Sequence, residues 1–159
     1  EELFSFFGQC EKQSIYTFKY WIFTGTPTEV VLKNFAHFEV PLNKVRVEKL
    51  RPEEVPANLS AADVGIVAVR PFPSKRYCSP IKTGEYWACG LPVIIPRGVG
   101  DDFETVEQEG GGLVAGELDY SELDWEKLLS SPPMHQIKLA RLHRSLEYYL
   151  PRFIQILKE

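Results

Sequence analysis

The residues that could do chemistry are concentrated where a helix is predicted to begin. Ser79 and Pro80 are typical of a helix start, since serine caps helices and proline fits the first turn. The backbone N–H groups of Ile81 and Lys82 would then have no partner inside the helix. Together with the helix dipole, such groups bind phosphate or diphosphate without a glycine-rich loop. Arg76 and Lys82 flank this position and would add charged donors for the same anion.

Glu85 follows Lys82 by about one helical turn, so its carboxylate could accept hydrogen bonds from the hydroxyl groups of a ribose. Gly90 then ends the helix and a buried strand follows, which would hold the helix start at the edge of a sheet. An ordinary structural explanation also exists, because Ser-Pro starts many helices that bind nothing and Glu85 could simply pair with Lys82. The spacing alone leaves both interpretations open.

Short apolar runs alternate with helical patterns along the chain, which predicts a parallel sheet with helical crossovers. Residues 64–69 and 92–95 are continuously apolar, as in strands that are buried on both faces. Further strands are predicted at residues 3–7, 20–24, 45–49 and 112–115. The fold class is therefore α/β, with a doubly wound, mostly parallel, Rossmann-like sheet in one domain.

Helices are predicted between these strands from capping residues and apolar spacing. One begins at Pro27 with Thr26 as its N-cap, and another follows a capping box that starts at Asp101. Residues 9–19 leave little room for a first crossover helix. The C-terminal third is predicted to be helical and to break at Pro151, because an interior proline lacks the N–H that the helix needs. Its apolar stripe is predicted to be buried and consists of Leu139, Leu142, Leu146, Tyr149 and Leu150.

Composition and motifs disfavour several classes of protein. The 18 Lys and Arg against 22 Asp and Glu give a net charge of −4, so no nucleic-acid partner is expected. No apolar run is long enough for a transmembrane segment. Motifs of P-loop enzymes, dinucleotide oxidoreductases, α/β-hydrolases and zinc proteases are absent. Scattered cysteines indicate free thiols in the cytoplasm, and the isolated His37, His135 and His143 indicate no metal site but a solvated or capping role.

Residues 79–94 (SPIKTGEYWACGLPVI), with Val99, Gly100 and Asp101 after them, resemble the donor-binding C-terminal domain of GT-B fold glycosyltransferases of family 4. Residues 54–66 (EVPANLSAADVGI) are similar to the helix and strand that precede this segment in that family. The resemblance covers nearly the whole chain, and it implies a single donor-binding domain over residues 1–159. It implies one half of a two-domain enzyme that binds a nucleotide-diphosphate sugar in the cleft between its halves.

The resemblance also implies roles for particular residues. Glu85 matches the second glutamate of a family pattern in which two glutamates are separated by seven residues, and that glutamate binds the ribose. Ile81 and Lys82 match the helix-start amides that hold the diphosphate. Lys49 and Leu50 lie where the main chain of the family holds the base.

The position of the first glutamate in this pattern is occupied by Tyr77, so recognition of the donor sugar through a glutamate is not expected. The resemblance implies that the sugar is transferred with retention of configuration. The transition state would be oxocarbenium-like, with negative charge building on the diphosphate. Lys82 and Arg76 are candidate stabilisers of this leaving group, and neither a metal nor a cofactor is expected.

The resemblance assigns the acceptor site to a domain N-terminal to this chain, against which helices in residues 133–159 would pack. The expected partners are a nucleotide sugar and an acceptor glycan or lipid-linked sugar of polysaccharide biosynthesis, in the cytoplasm or peripherally at the inner membrane. A non-enzymatic nucleotide-binding or scaffolding domain, including one subunit of a split transferase, is an alternative. A nucleotide-sugar epimerase of the same architecture is another, although it would need further acid/base carboxylates in the cleft.

Overall fold

A computed structural model describes residues 2–115 and 119–158 of the chain. These residues form two compact units. The first contains the described residues of Glu1–Val55 and Glu117–Leu123, and the second contains those of Pro56–Gly116 and Asp124–Glu159. Each unit combines helices with a small parallel sheet. The chain is therefore of mixed α/β class, as the alternation of apolar and helical patterns predicts.

The first unit has an aromatic core between helices and paired strands. Its helices and strands, within the described residues, are α1 (Glu2–Gln13), β1 (Tyr20–Phe23), α2 (Thr28–His37) and β2 (Val45–Glu48). Strands β1 and β2 run parallel, with Tyr20 opposite Val45. Phe7 and Phe35 stack with their ring centroids 5.4 Å apart, and the ring of Tyr20 lies 4.7 Å from that of Phe7. This ring cluster holds α1 and α2 against the sheet.

The first predicted strand, residues 3–7, is instead the start of α1, so that prediction is wrong. A run such as LFSFF fits either a strand or one face of a helix, and Cys10, buried one turn further on, reveals the helical period. Gly8 does not end a strand but lies inside α1, where a Cβ atom would come within 2.6 Å of the Phe38 carbonyl oxygen and only glycine fits without a shift. Residues 9–19 therefore need not contain a crossover helix.

The second unit contains, within the described residues, a three-stranded parallel sheet. Its strands are β3 (Gly65–Ile66), β4 (Val93–Pro96) and β5 (Gly112–Ala115), in the order β3-β4-β5. Ile66 lies opposite Ile94, which in turn lies opposite Leu113. The helices are α3 (Val55–Leu59), whose first residue belongs to the first unit, α4 (Ile81–Ala88), α5 (Asp102–Glu109), α6 (Trp125–Leu129), α7 (Pro133–Arg144) and α8 (Leu146–Ile156).

Most strands lie where the sequence predicts them. Those at residues 20–24, 45–49, 92–95 and 112–115 are confirmed to within about one residue at each end. The strand predicted over residues 64–69 is reduced to Gly65–Ile66. The N–H of Val67 still donates to the Ile94 carbonyl, but the N–H of Val69 bonds to the Val67 carbonyl and not to β4. The chain therefore leaves the sheet after Val67.

Strand β4 is the centre of the core of the second unit. All of its residues are buried, which is the physical reason for its uninterrupted apolar sequence. Helices α4, α5 and α7 pack on the sheet through a buried cluster formed by Val67, Trp87, Val93, Ile95, Val106, Leu139 and Ala140. The position of α4 is thus set mainly by apolar packing.

The C-terminal helices are interrupted at Ser145 and not at Pro151, so the predicted break is wrong. The backbone of Ser145 is extended, and its Oγ accepts a hydrogen bond from the Tyr148 N–H, which caps α8. Pro151 lies inside α8. The carbonyl of Glu147, which loses its donor, belongs to an exposed residue where water can replace the missing bond.

The apolar stripe predicted to be buried is buried only in α7. Leu139 is fully buried and Leu142 is half-buried, whereas Leu146, Tyr149 and Leu150 of α8 are 80%, 46% and 51% exposed. The helical spacing of these apolar residues continues across Ser145, but those after Ser145 are exposed. Among the described residues, no helix has both the length and the apolar character needed to cross a membrane.

The side-chain caps predicted for α2 and α5 are not made. Pro27 and not Thr26 precedes α2, and no side chain caps that helix. Asp101 precedes α5 as predicted, but its carboxylate accepts no capping hydrogen bond. It lies instead 3.8 Å from Arg144 of α7, a contact between distant segments that local sequence does not indicate.

We expect the free energy of unfolding to fall as the pH rises above 9. Burial, with a smaller effect of the Glu11 charge, raises the pKa of the Cys10 thiol from 9.0 to about 12. Burial and a hydrogen bond to Glu11 also raise the pKa of the Tyr20 hydroxyl. The Cys10 thiol keeps its proton in the folded chain where the unfolded chain loses it, so its contribution to stability is complete below pH 9 and is lost towards pH 12. The contribution of Tyr20 has the same sign and begins to be lost only above pH 10.

Urea unfolding across neutral and alkaline pH measures this dependence. The Cys10→Ala variant should lose stability less steeply above pH 9, by up to about 1.4 kcal/mol per pH unit. The control is Cys78→Ala, which removes a half-buried thiol from the second unit and should keep the steepness of the unmodified chain. Equal steepness in Cys10→Ala and the unmodified chain would contradict the prediction.

Candidate functional site

Helix α4 is anchored near its C-terminus by Trp87. The indole is fully buried and its Nε1–H donates to the Gly111 carbonyl at 2.9 Å. Gly90 follows the helix with a φ of +81°, and the chain then returns directly into β4. This is the glycine-terminated helix that the sequence predicts.

The start of α4 lies at the carboxyl end of β4. The loop after β4 contacts the segment before α4, where the Gly100 N–H donates to the Lys75 carbonyl at 3.0 Å. Gly100 has a φ of +62°, and a Cβ atom on it would lie 2.3 Å from the Cys78 carbonyl oxygen. Only glycine permits this approach. The helix start therefore lies at the sheet edge where α/β proteins bind ligands.

The first backbone N–H groups of α4 are free. Pro80 is the residue directly before the helix. No side chain caps the helix start, so the predicted capping role of Ser79 is wrong. The first amide bonded within this turn is that of Thr83, which donates to the Pro80 carbonyl at 3.1 Å. The amides of Ile81 and Lys82 have no acceptor among the described residues, and the Ile81 side chain is 76% exposed. Both amides can therefore bind an anion.

A pocket of about 240 Å³ opens beside this helix start. It is lined by Arg76, Tyr77, Cys78, Ser79, Gly100 and Asp101. Tyr77 is 89% exposed, so its ring is not packed against the protein. A cation, a carboxylate, hydroxyl groups and an aromatic ring in one pocket are suited to a polar ligand that has an anionic group.

A larger pocket of about 320 Å³ runs along β5. It is lined by Val106, Glu107, Gly112, Leu113, Val114 and Lys127. Glu107 is already engaged by Arg97 in an ion pair. No helix begins among its lining residues, so this pocket lacks the free amides found beside α4.

The predicted side chains around α4 are available for binding. Arg76, Lys82 and Glu85 are all exposed. The ion pair between Glu85 and Lys82, which would give Glu85 an ordinary structural role, is not formed within the part of the chain that the structure describes. An exposed carboxylate one turn after the free amides can reach a ligand that extends along the helix.

The predicted residues are divided between the two units. Arg76 and the helix-start residues Ser79, Pro80, Ile81, Lys82 and Glu85 belong to the second unit. Lys49 and Leu50 belong to the first unit and follow β2, with Lys49 exposed and Leu50 half-buried. The geometry that brings candidate residues together is thus that of the second unit alone.

Arg144 is the site residue that sequence reasoning missed. It ends α7, and its guanidinium forms an ion pair with Asp102 and a hydrogen bond to the Ser79 hydroxyl. Its Nη2 also lies 3.8 Å from the carboxylate of Asp101. The side chain of Asp102 is 3% exposed, whereas that of Asp101 is 85% exposed. One cation thus joins the end of α7 to the starts of α4 and α5.

Gly84 is the sequence signal that could have indicated this contact. It lies in the middle of α4, where glycine destabilises a helix by about 1 kcal/mol relative to alanine. A Cβ atom there would lie 3.0 Å from Cγ and 3.2 Å from Cβ of Arg144. The glycine therefore lets the end of α7 approach α4 closely, although its presence alone could not identify the partner.

The histidines of the second unit have structural partners. His135 Nε2 lies 2.8 Å from the carbonyl of Glu109, the last residue of α5, and His143 Nε2 lies 2.9 Å from the Glu109 carboxylate. The contact of His135 is a capping contact of the predicted kind. No cluster of three or more metal-ligating side chains occurs in residues 2–115 and 119–158.

Comparisons with protein-family models, curated proteins and solved structures found no match to this chain.

Replacing Asp102 by alanine should lower the free energy of unfolding by about 3 kcal/mol, because the guanidinium of Arg144, whose side chain is only 20% exposed, is left without its main partner. The matched control is Asp101→Ala, which removes the exposed carboxylate near the same guanidinium and should cost less than about 1 kcal/mol. Urea unfolding of both variants provides the comparison. Similar losses in the two variants would contradict the assignment of Asp102 as the main partner of Arg144.

Proposed function

We propose that this chain is the donor-binding domain of a retaining glycosyltransferase, with the doubly wound, Rossmann-like sheet of one half of a GT-B fold. The observation that carries the proposal is the start of α4. Two free amides, of Ile81 and Lys82, lie at the carboxyl edge of a parallel sheet, beside a pocket lined by Arg76. This arrangement supports the binding of a nucleotide diphosphate.

The chemistry follows from the charge that the reaction creates. Cleavage of the bond between the anomeric carbon and the diphosphate leaves negative charge on the phosphate oxygens. The amides of Ile81 and Lys82 would donate to these oxygens, and the side chains of Lys82 and Arg76 would add positive charge. These donors are fixed before the reaction, so the protein would need little rearrangement as the charge develops.

The rest of the donor would extend along α4 and away from it. Glu85 lies about 6 Å further along the helix axis than Ile81. Its carboxylate is therefore within reach of the ribose hydroxyls when the diphosphate binds the helix start. Tyr77, at the pocket and with an exposed ring, would contact the sugar without the charge of a glutamate.

The acceptor side of the reaction belongs, in this proposal, to a domain N-terminal to this chain. Helix α8 supports this arrangement because apolar side chains on it are exposed, including Leu146, Leu150, Phe153 and Ile156. The acceptor would be a glycan or a lipid-linked sugar of polysaccharide biosynthesis. The enzyme would act in the cytoplasm, with peripheral attachment to the inner membrane through the acceptor domain.

A thermal-shift screen with UDP-, GDP-, ADP- and CMP-sugars tests donor binding, because a ligand that binds only the folded chain raises its melting temperature. The strongest ligand is then titrated by calorimetry into the Lys82→Ala and Glu85→Ala variants. We expect each variant to bind at least about tenfold more weakly, as for the loss of one charged hydrogen bond. The matched controls are Lys138→Ala and Glu126→Ala, at exposed positions of α7 and α6.

Unchanged affinity in both Lys82→Ala and Glu85→Ala would overturn the assignment of the site, and no thermal shift with any nucleotide sugar would overturn donor binding. Donor binding without sugar transfer to any acceptor, even after an acceptor domain is added, would favour a nucleotide-binding or scaffolding domain. Turnover only in the presence of a separate partner protein would favour a split transferase. Interconversion of the nucleotide sugar without an acceptor would favour an epimerase.

A further inference from the structure

The start of α4 lacks the local contact that usually fixes a helix start. No side chain caps it, and Pro80 cannot donate a backbone hydrogen bond. The contact that it has instead comes from Arg144, whose Nη1 donates to Ser79 Oγ two residues before the helix. A residue at the end of α7 therefore contacts the segment that leads into α4, while the amides of Ile81 and Lys82 stay free.

The guanidinium of Arg144 is itself held in one orientation. Its Nη2 is paired with the buried carboxylate of Asp102, the first residue of α5. Its aliphatic carbons pack at the surface that Gly84 leaves open on α4, so the side chain is confined along its whole length. One nitrogen of the planar guanidinium pairs with Asp102, and another donates to Ser79. Because the guanidinium is rigid, its pairing with Asp102 also fixes the direction of its contact with Ser79, which a flexible ammonium group would not do.

Stability alone does not require this ion pair. Replacing a buried ion pair by well-packed apolar residues often leaves a protein equally stable. Stability therefore does not explain why Arg144 also contacts Ser79. In this fold the pair also lies between the loop after β4 and the start of α4, which together border the pocket. Its position is therefore suited to controlling the geometry of the pocket.

We propose that Arg144 is a positioning residue of the donor site. Held by Asp102, it fixes Ser79 and with it the first turn of α4, so that the free amides of Ile81 and Lys82 keep the orientation that a diphosphate needs. This inference rests on the proposed function. It assigns to Arg144 an effect on the diphosphate part of the ligand and none on the nucleoside part.

The test compares four variants of the full chain. Arg144→Gln removes the charge, and Arg144→Lys keeps the charge without the planar fork. Ser79→Ala removes the hydroxyl that Arg144 contacts, which also lines the pocket, and leaves the pair with Asp102 intact. Arg141→Gln is the matched control, since Arg141 is an exposed arginine one turn earlier on α7. UDP, GDP and ADP are titrated by calorimetry, each alongside its nucleoside, and amide hydrogen exchange of residues 79–87 is measured without nucleotide.

We expect Arg144→Gln and Ser79→Ala to weaken diphosphate binding at least about tenfold and to leave nucleoside binding unchanged. Arg144→Lys should restore less than half of the lost affinity, and Arg141→Gln should match the unmodified chain. Exchange of residues 79–87 should be faster in Arg144→Gln and Ser79→Ala than in Arg141→Gln. If Arg144→Gln does not fold, Ser79→Ala decides the outcome by the same measurements.

The results separate this inference from the proposed function. An unmodified chain that binds no diphosphate overturns the proposed function, and the exchange rates then decide the positioning role of Arg144. Exchange of residues 79–87 that is the same in Ser79→Ala and Arg141→Gln overturns that role. Equal weakening of diphosphate and nucleoside binding also overturns it, because a general loss of structure would then explain the effect.

Discussion

The burial of Trp87 against the sheet is the interaction on which the second unit depends. Its indole N–H bonds to the Gly111 carbonyl, and its ring belongs to the cluster that joins α4, α5 and α7 to the sheet. Gly111 has a φ of +86°, and a Cβ atom on it would lie 2.3 Å from Leu139 Cδ1. Because α4 has only eight residues, fixing Trp87 limits how far the helix start, about two turns away, can move.

The two ends of α4 are held by different kinds of force. Trp87 fixes the C-terminal end by apolar packing and one hydrogen bond, whereas Arg144 contacts the N-terminal end through a charged network. The charge of Arg144 is matched by Asp102, which leaves the exposed Arg76 and Lys82 as the cations beside the free amides. A buried, matched pair can hold geometry while exposed cations remain available for a ligand.

Local sequence signals were sufficient where the structure is determined within a few residues. The start of α4 after Pro80, the Gly90 helix end and the apolar run of β4 are examples, because the fixed φ of proline, positive φ and burial on both faces each restrict residue type directly. The same signals failed at residues 3–7 and at Pro151. An apolar run has no unique period over five residues, and a proline is tolerated where water can reach the carbonyl it leaves free.

By itself, the sequence determined an α/β chain with parallel strands and a helix at residues 81–88 that begins with two free amides and basic neighbours. It did not determine what holds that helix start. The pairing of Arg144 with Asp102 and Ser79, the approach at Gly84 and the exposure of α8 were decided by the tertiary structure alone. The physical reason is range, since backbone preferences and caps act over about four residues. Ion pairs and packing depend instead on distances between segments far apart in the chain.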